Sequence, residues 1–322
     1  MSRIPDPPIR LVMRLLLEFM VGTMPVLARW HGGDLVRGIV FLAIAQANRP
    51  RFSDVARVGL LPWTRGDAAL KPLSVLALSE SLKLPYETAR RRVLALARDG
   101  LVQRQEQGAI VPNAVIAGAA FDAFAGDTYD RFLALLLGLR AIHFDFASFG
   151  KGALPPDAAL LPGGEPDLAV RHVVIDFVLR LVECGVFAHE NDLVRALIFS
   201  AIMAANAEPY TADPDAAWDY ATLAQSPPAH RRKPIPIAEV AHRTGIPYET
   251  ARRYIVVMLR DKDIVRVPGK GLINPEVSPR DPLLHQAGAL VMNRFVQFIG
   301  DLSRLGFNFE SLRIEERRTT AA

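Results

Sequence analysis

The chain has 322 residues, 50% of them hydrophobic and 22% charged; that is roughly two domains' worth on a prior of about 150 residues each, and it excludes a disordered or fibrous polymer. A single cysteine, Cys184, excludes an internal disulfide and a cysteine-based zinc site and fits a reducing compartment. The net charge of +4 is unevenly spread: residues 83–104 carry six basic side chains against two acidic ones, residues 230–270 carry ten against four, and the rest is net acidic, a distribution that suits two local polyanion contacts.

The chain opens on an apolar run from Leu11 to Met20, interrupted by Arg14 and Glu18. It is expected to be a core helix, not a signal peptide or membrane span. A second helix follows over DLVRGIVFLAIAQAN (Asp34 to Asn48), then a loop of some 20 residues and a strand-like KPLSV. VLALSESL places Val75, Leu78 and Leu82 at helical spacing, and Lys83, Leu84 and Pro85 break that helix. The next helix is predicted from about Tyr86 to Asp99, with Ala89, Val93 and Leu96 on one core-facing stripe. At 100° per residue, Glu87, Arg91 and Arg98 fall opposite that stripe, flanked by Arg90. Gly100 ends the helix, and 101–105, 106–108 and 109–111 read as a β-hairpin with a glycine turn. A closing helix is predicted around Asp130 to Phe146.

The second half repeats the first. At an offset of 162, the segment from Lys71 aligns without gaps to that from Lys233, and PYETARR is identical in both. At an offset of 158, DLVRALIFSAIMAAN (Asp192 to Asn206) matches nine of the 15 residues of its partner. LLLEF from Leu15 matches VVIDF from Val173, and the closing segments match at an offset of 163. Gly150 to Pro166 holds eight Gly or Pro in 17 residues and reads as the linker. The expected domains are thus 1–149 and 167–322. Opening and closing helices around Val173 to Val182 and Asn293 to Phe309 complete the second repeat, and all four are expected to share one core. The fold class is mainly α with short β-hairpins.

Helix, tight turn, helix and hairpin is the order of a winged helix-turn-helix, and PYETARRRV resembles the start of the recognition helix in bacterial repressors. The general plan is similar to the MarR and GntR regulators, over about 45 residues in each half (about 71–115 and 233–277). Pro85 and Pro247 stand where that pattern usually has a serine cap, and Gly100 has no match at Lys262, so the second helix is expected to end differently. The resemblance implies that both helices enter the DNA major groove. Arg91 and Arg253 would contact guanine, and Glu87 and Glu249 would accept from cytosine. Thr88, Thr250, Arg90 and Arg252 would hold phosphates, with Arg104, Arg266 and Lys270 adding wing contacts. Tyr86 and Tyr248 complete the outward set, which is unchanged between the copies while core positions have drifted (Val93 against Ile255, Leu84 against Ile246).

No GxxxxGK[ST], GxGxxG helix opening, HExxH or GxSxG occurs, the seven histidines show no ligand spacing, and Glu315-Glu316 lies in a polar tail. No catalytic residue, metal or cofactor is expected. His189-Glu190 reads as a surface loop, and the Phe-x-Phe runs at 144–146 and 307–309, placed at the ends of the closing helices, as core packing between the repeats. The expected protein is a cytoplasmic, nucleoid-associated, sequence-specific double-stranded DNA-binding transcription regulator. One chain would act as a pseudo-dimer on two related half-sites. Oligomeric state and effector stay open, and the alternatives are a plasmid-type replication initiator or a protein-interaction subunit of a chromosome-organising complex.

Overall fold

The computed structural model describes residues 8–49, 66–146, 166–189, 191–211, 213–275 and 282–309. The linker, apart from Pro166, as well as Glu190 and the Glu315-Glu316 pair lie outside them. The chain is mainly helical, with two small antiparallel sheets. The first half comprises α1 (Ile9–Trp30), α2 (Leu35–Ala47), α3 (Val75–Leu82), α4 (Tyr86–Arg98), β1 (Gln103–Gln105), β2 (Gly108–Ile110), the short α5 (Asn113–Ile116) and α6 (Ala119–Ala141). The second comprises α7 (Pro166–Ala188), α8 (Leu193–Thr211), the short α9 (Pro214–Asp219), α10 (Ile237–Thr244), α11 (Tyr248–Arg260), β3 (Val265–Val267), β4 (Gly271–Ile273) and α12 (Pro282–Arg304).

Both opening helices are longer than the sequence suggested. In α1 the apolar face continues beyond Met20 through Val21, Met24, Leu27 and Ala28, all buried, and this burial outweighs the backbone hydrogen bond that Pro25 removes inside the helix. By length and composition α1 is apolar enough to cross a membrane, yet here it lies against α2, α6, α8, α10 and α12. The closing helices end earlier than expected. His143 (φ 56°) and Gly306 (φ 75°) occupy the left-handed region, and the amides of Phe144 and Phe307 return to the carbonyls of Leu139 and Leu302, each at 3.0 Å, so each Phe-x-Phe run follows its helix.

Those phenylalanines join the two halves. Phe146 stacks on Phe309 with centroids 4.9 Å apart, and Phe19 on Phe177 at 6.3 Å. In both pairs the partners are equivalent residues of the two repeats, as facing positions on a pseudo-two-fold axis would be. Phe177 also stacks on Phe298 at 4.0 Å, and Phe132 meets Phe298 and Phe307 edge-on at 5.6 Å. Each such side chain stabilises by about 1.5–3 kcal/mol when fully buried. The central layer of α1, α6, α7 and α12 is therefore common to both repeats.

The sharing extends further out, because α1 packs on α8 and α10 of the other half as well as on its own α2. Gly245, in the turn after α10, sits at φ +64° with its α-carbon face against α1, where an added Cβ would fall 2.5 Å from the Ala28 Cβ. Glycine is needed there for both reasons.

Candidate nucleic-acid interface

The same local construction holds both copies of the PYETARR helix. Ser74 caps α3 by accepting from the Ala77 amide at 3.1 Å, and the helix stops at Lys83 in the left-handed conformation (φ 53°), where Gly245 stands in the second copy. The following helix starts at Tyr86 and Tyr248. Pro85 and Pro247 are N-caps with extended ψ of 135° and no side-chain capping bond; their carbonyls accept from Ala89 (3.1 Å) and Ala251 (2.9 Å). A proline cap thus leaves the helix start at the tyrosine in both copies. The core stripe is as the spacing predicted: Ala89, Val93 and Leu96, and in the second copy Ala251, Ile255 and Met258, are buried.

The expectation that α11 ends differently from α4 is corrected. Lys262 adopts φ 63°, close to the 72° of Gly100, and Asp263 returns its amide to Met258 (2.9 Å) as Leu101 does to Leu96 (3.0 Å). Lysine takes the left-handed position at a cost of roughly 1–2 kcal/mol, which the fixed closure to the hairpin offsets.

Each hairpin follows directly. Gln103 pairs with Ile110 and Gln105 with Gly108 around a two-residue turn. Val265 pairs with Ile273 and Val267 with Gly271 around a turn one residue longer, 268–270. Leu73 and Ile235, in the strand-like segments, bridge to Ala109 and Leu272. A buried asparagine at the end of α2 and in α8 locks each hairpin down. Asn48 donates to the carbonyls of Lys71 (2.8 Å) and Ala109 (3.0 Å) and accepts from the Val111 amide (2.8 Å). Asn206 repeats this with Lys233 (2.7 Å), Leu272 (3.2 Å) and Asn274 (2.8 Å). A second repeated tie is ionic: Arg37 pairs with Asp99, and Arg195 with Asp261 and Asp263, joining the N-termini of α2 and α8 to the ends of α4 and α11. Asn48, Asn206, Arg37 and Arg195 are repeat identities whose role the sequence alone does not show; the signal it carries is that they are polar and identical within otherwise apolar blocks.

Of the expected contact residues, Tyr86, Glu87, Arg90, Arg91 and Arg104 are exposed in the first copy, as are Tyr248, Glu249, Arg252, Arg253, Arg266 and Lys270 in the second; Thr88 and Thr250 are partly covered. Arg104 sits on β1, Arg266 on β3 and Lys270 in the longer hairpin turn. Arg92, which adds to the basic charge of the segment but not to the expected contact set, pairs with Asp34 at 2.8 Å.

The outward faces differ in one electrostatic detail. Glu87 accepts from Arg90 at 2.8 and 2.9 Å and from Arg91 at 3.0 Å, and these bonds, Arg90 first, hold its carboxyl down to about 2. In the second copy Glu249 pairs with Arg252 at 2.9 Å, and Arg253 has no acidic partner among the described residues. Any hydrogen-bond acceptor approaching Arg91 would therefore compete with Glu87 for its guanidinium, whereas at Arg253 it would meet no acidic competitor among the described residues. Because Arg91 is still 71% exposed, the competing pair is weak.

Among the described residues no group of three His, Cys, Asp or Glu side chains is placed to hold a metal. His189 lies in the turn after α7, as expected of a loop, but it is partly buried, its ring 4.2 Å from that of Phe199. Burial lowers its pKa to about 4. No family model, curated protein or solved structure matches the chain.

Proposed function

We propose that the chain is a sequence-specific double-stranded DNA-binding transcription regulator in which two winged helix-turn-helix units act as a pseudo-dimer, with α4 and α11 as recognition helices. The observation that carries this reading is the twice-repeated exposed set. Tyr, Glu, Thr and two Arg project from the first two turns of the second helix in two units that share the proline cap of that helix and the asparagine ties of the hairpin. Such outward residues have no packing reason to stay identical while the buried stripe beneath them changes. Arginine forks suit both phosphates and the O6/N7 edge of guanine, and the arginines and lysine of the hairpins add phosphate contacts at the flank.

Selection of bound fragments from random duplex DNA by the full chain tests the reading. The expected product is a site with two related half-sites, inverted and centred about one helical turn (~34 Å) apart. Binding should weaken steeply with salt. Failure to enrich any sequence, with no salt-dependent retention of DNA, overturns it.

A further inference from the structure

A cavity of about 180 Å³ lies where the two halves meet, between α1, α7, α8, α12 and the segment leading to α10. Its wall is mostly apolar, including Met13, Leu17, Leu181, Met203 and Val291, but one side carries three arginines, Arg10, Arg14 and Arg232. Arg14 is 94% buried, at 6% exposure. Its Nη2 donates to the carbonyls of Ala217 (2.8 Å) and Tyr220 (3.2 Å), and the guanidinium lies 5.3 Å from the centre of the Tyr210 ring. Its Nε and Nη1 are buried with no hydrogen-bond partner. Arg10 donates only to the carbonyls of Thr222 (3.1 Å) and Leu223 (3.2 Å), and Arg232 reaches the carbonyls of Pro227 and Asn274.

Backbone carbonyls satisfy geometry but do not neutralise charge. Neither Arg10 nor Arg14 forms an ion pair with an acidic side chain among the described residues. Glu18, the acid that acts on Arg14, is engaged with Thr211. Burial lowers the pKa of Arg14 to about 10, and Arg10 adds to the effect by repulsion. Buried cations left unneutralised are costly, and removing part of that cost is what an anion in the cavity would do. Size limits the anion: a closed apolar cavity of about 150 Å³ takes a benzene, so this one suits a body of about eight non-hydrogen atoms.

We infer that this cavity binds a small monocarboxylate with an apolar body, its carboxylate against Arg14 and Arg10 and its body among Met13, Leu17, Met203 and Val291. The inference is independent of DNA binding. Titration calorimetry and thermal shift on the full chain with hexanoate, 1-hexanol and inorganic phosphate test it. Hexanoate is expected to bind and raise the melting temperature, with the alcohol and phosphate each weaker by roughly tenfold or more, since each lacks one half of the recognition. Arg14→Gln should lose hexanoate by roughly tenfold or more. Because that variant also frees two carbonyls, Ala287→Phe is the second test: it fills the cavity wall without touching an arginine and should abolish hexanoate binding in a chain with wild-type circular dichroism. Equal binding of hexanoate and hexanol, phosphate binding as tightly as hexanoate, no binding of hexanoate at millimolar concentration, or unchanged hexanoate affinity in Ala287→Phe each overturns the assignment.

Discussion

Replacing Gly245 by alanine tests whether the two repeats are locked together by α1. The new Cβ would stand 2.5 Å from the Ala28 Cβ at a backbone φ of +64°. The positive φ costs a non-glycine residue about 1–2 kcal/mol, and displacing packed helices costs about 1–3 kcal/mol more, so Gly245→Ala is expected to destabilise by about 2–5 kcal/mol. Ala28→Gly alone should cost about 1 kcal/mol in helix propensity, but combined with Gly245→Ala it restores the space. The double variant is therefore expected to be more stable than the sum of the two single effects by about 1–3 kcal/mol. Lys262→Gly, at a positive φ with the side chain exposed, is the control of opposite sign: it relieves left-handed strain and should stabilise by about 0.5–1 kcal/mol after the greater chain entropy of glycine is subtracted. Urea unfolding followed by circular dichroism at constant slope gives these differences. If Gly245→Ala and Ala28→Gly add to within about 0.5 kcal/mol, α1 does not meet the second repeat as described and the interlocked core is wrong.

Asn206→Ala should cost about 2–4 kcal/mol in the same assay, because it takes the side-chain partner from the Lys233 carbonyl and the Asn274 amide and leaves the Leu272 carbonyl with the Ile235 amide alone. On the selected DNA, Arg91→Ala and Arg253→Ala are each expected to weaken specific binding by about 1–3 kcal/mol and to relax base preference in one half-site. The Arg253 loss should be the larger, since its side chain has no intramolecular pair to leave; loss that is uniform over all sequences would assign both to phosphates. Arg266→Ala with Lys270→Ala should lower the slope of log affinity against log salt by about 0.9 per contact removed, and more in total than Arg104→Ala does. His31 is buried, with both ring nitrogens unpartnered, and burial lowers its pKa to about 4. Its folded pKa is below the unfolded value of about 6.5, so its contribution is present above pH 6.5 and is lost as pH falls towards 4. Wild type should therefore lose about 2–3 kcal/mol of stability relative to His31→Leu between pH 7 and pH 4.5. His172 and His189, also lowered to about 4, act in the same direction, whereas the Asp176 carboxyl, raised to about 6 by burial, acts oppositely; comparing wild type with the variant cancels all three.

Periodicity made α3, α4, α10 and α11 legible because each is short, capped by turn chemistry and buried along one narrow stripe, so the local rule and the tertiary outcome agree. Helices α1 and α7 were underestimated because burial on several sides lets an apolar helix run past the residues that would end an exposed one, as α1 runs past Pro25. The closing helices begin 11 residues before the expected Asp130 and Asn293, and only their C-terminal ends were carried too far: the aromatic Phe144 and Phe146 continue the apolar pattern, but His143 in the left-handed region redirects them onto the other repeat. Charge counting found the outward arginines but could not show the pairing of Arg92, since only the fold brings Asp34 beside it. The role of Asn48 and Asn206 depends on carbonyls far along the chain, and no local pattern reveals that.

The two copies place their glycines differently, and these exchanges explain the asymmetry of the molecule. Where Gly245 of the second repeat faces Ala28 of the first, the equivalent contact has Lys83 of the first repeat and Val186 of the second. Two larger side chains cannot approach as closely, and a cleft of about 100 Å³ opens between α3 and α7, lined by Ser81, Lys83, Val182 and Phe187. Between the opening and second helices a glycine stays on one side of the contact in both repeats. Leu27 lies over Gly38 in the first repeat, where an added Cβ would fall 2.6 Å from the leucine, and Gly185 lies over Ala196 in the second at 3.8 Å. The first pair is thus tight and the second loose, but neither sets two large side chains against each other. Divergence of this kind leaves the exposed Tyr-Glu-Thr and Arg-Arg set and the asparagine ties alone. It acts instead on the layer between the repeats, closing α1 onto α10 and opening α7 from α3. The arginine-lined cavity belongs to that layer too: the position equivalent to Arg14 is His172, so this buried cation of the cavity wall has no arginine counterpart in the other repeat.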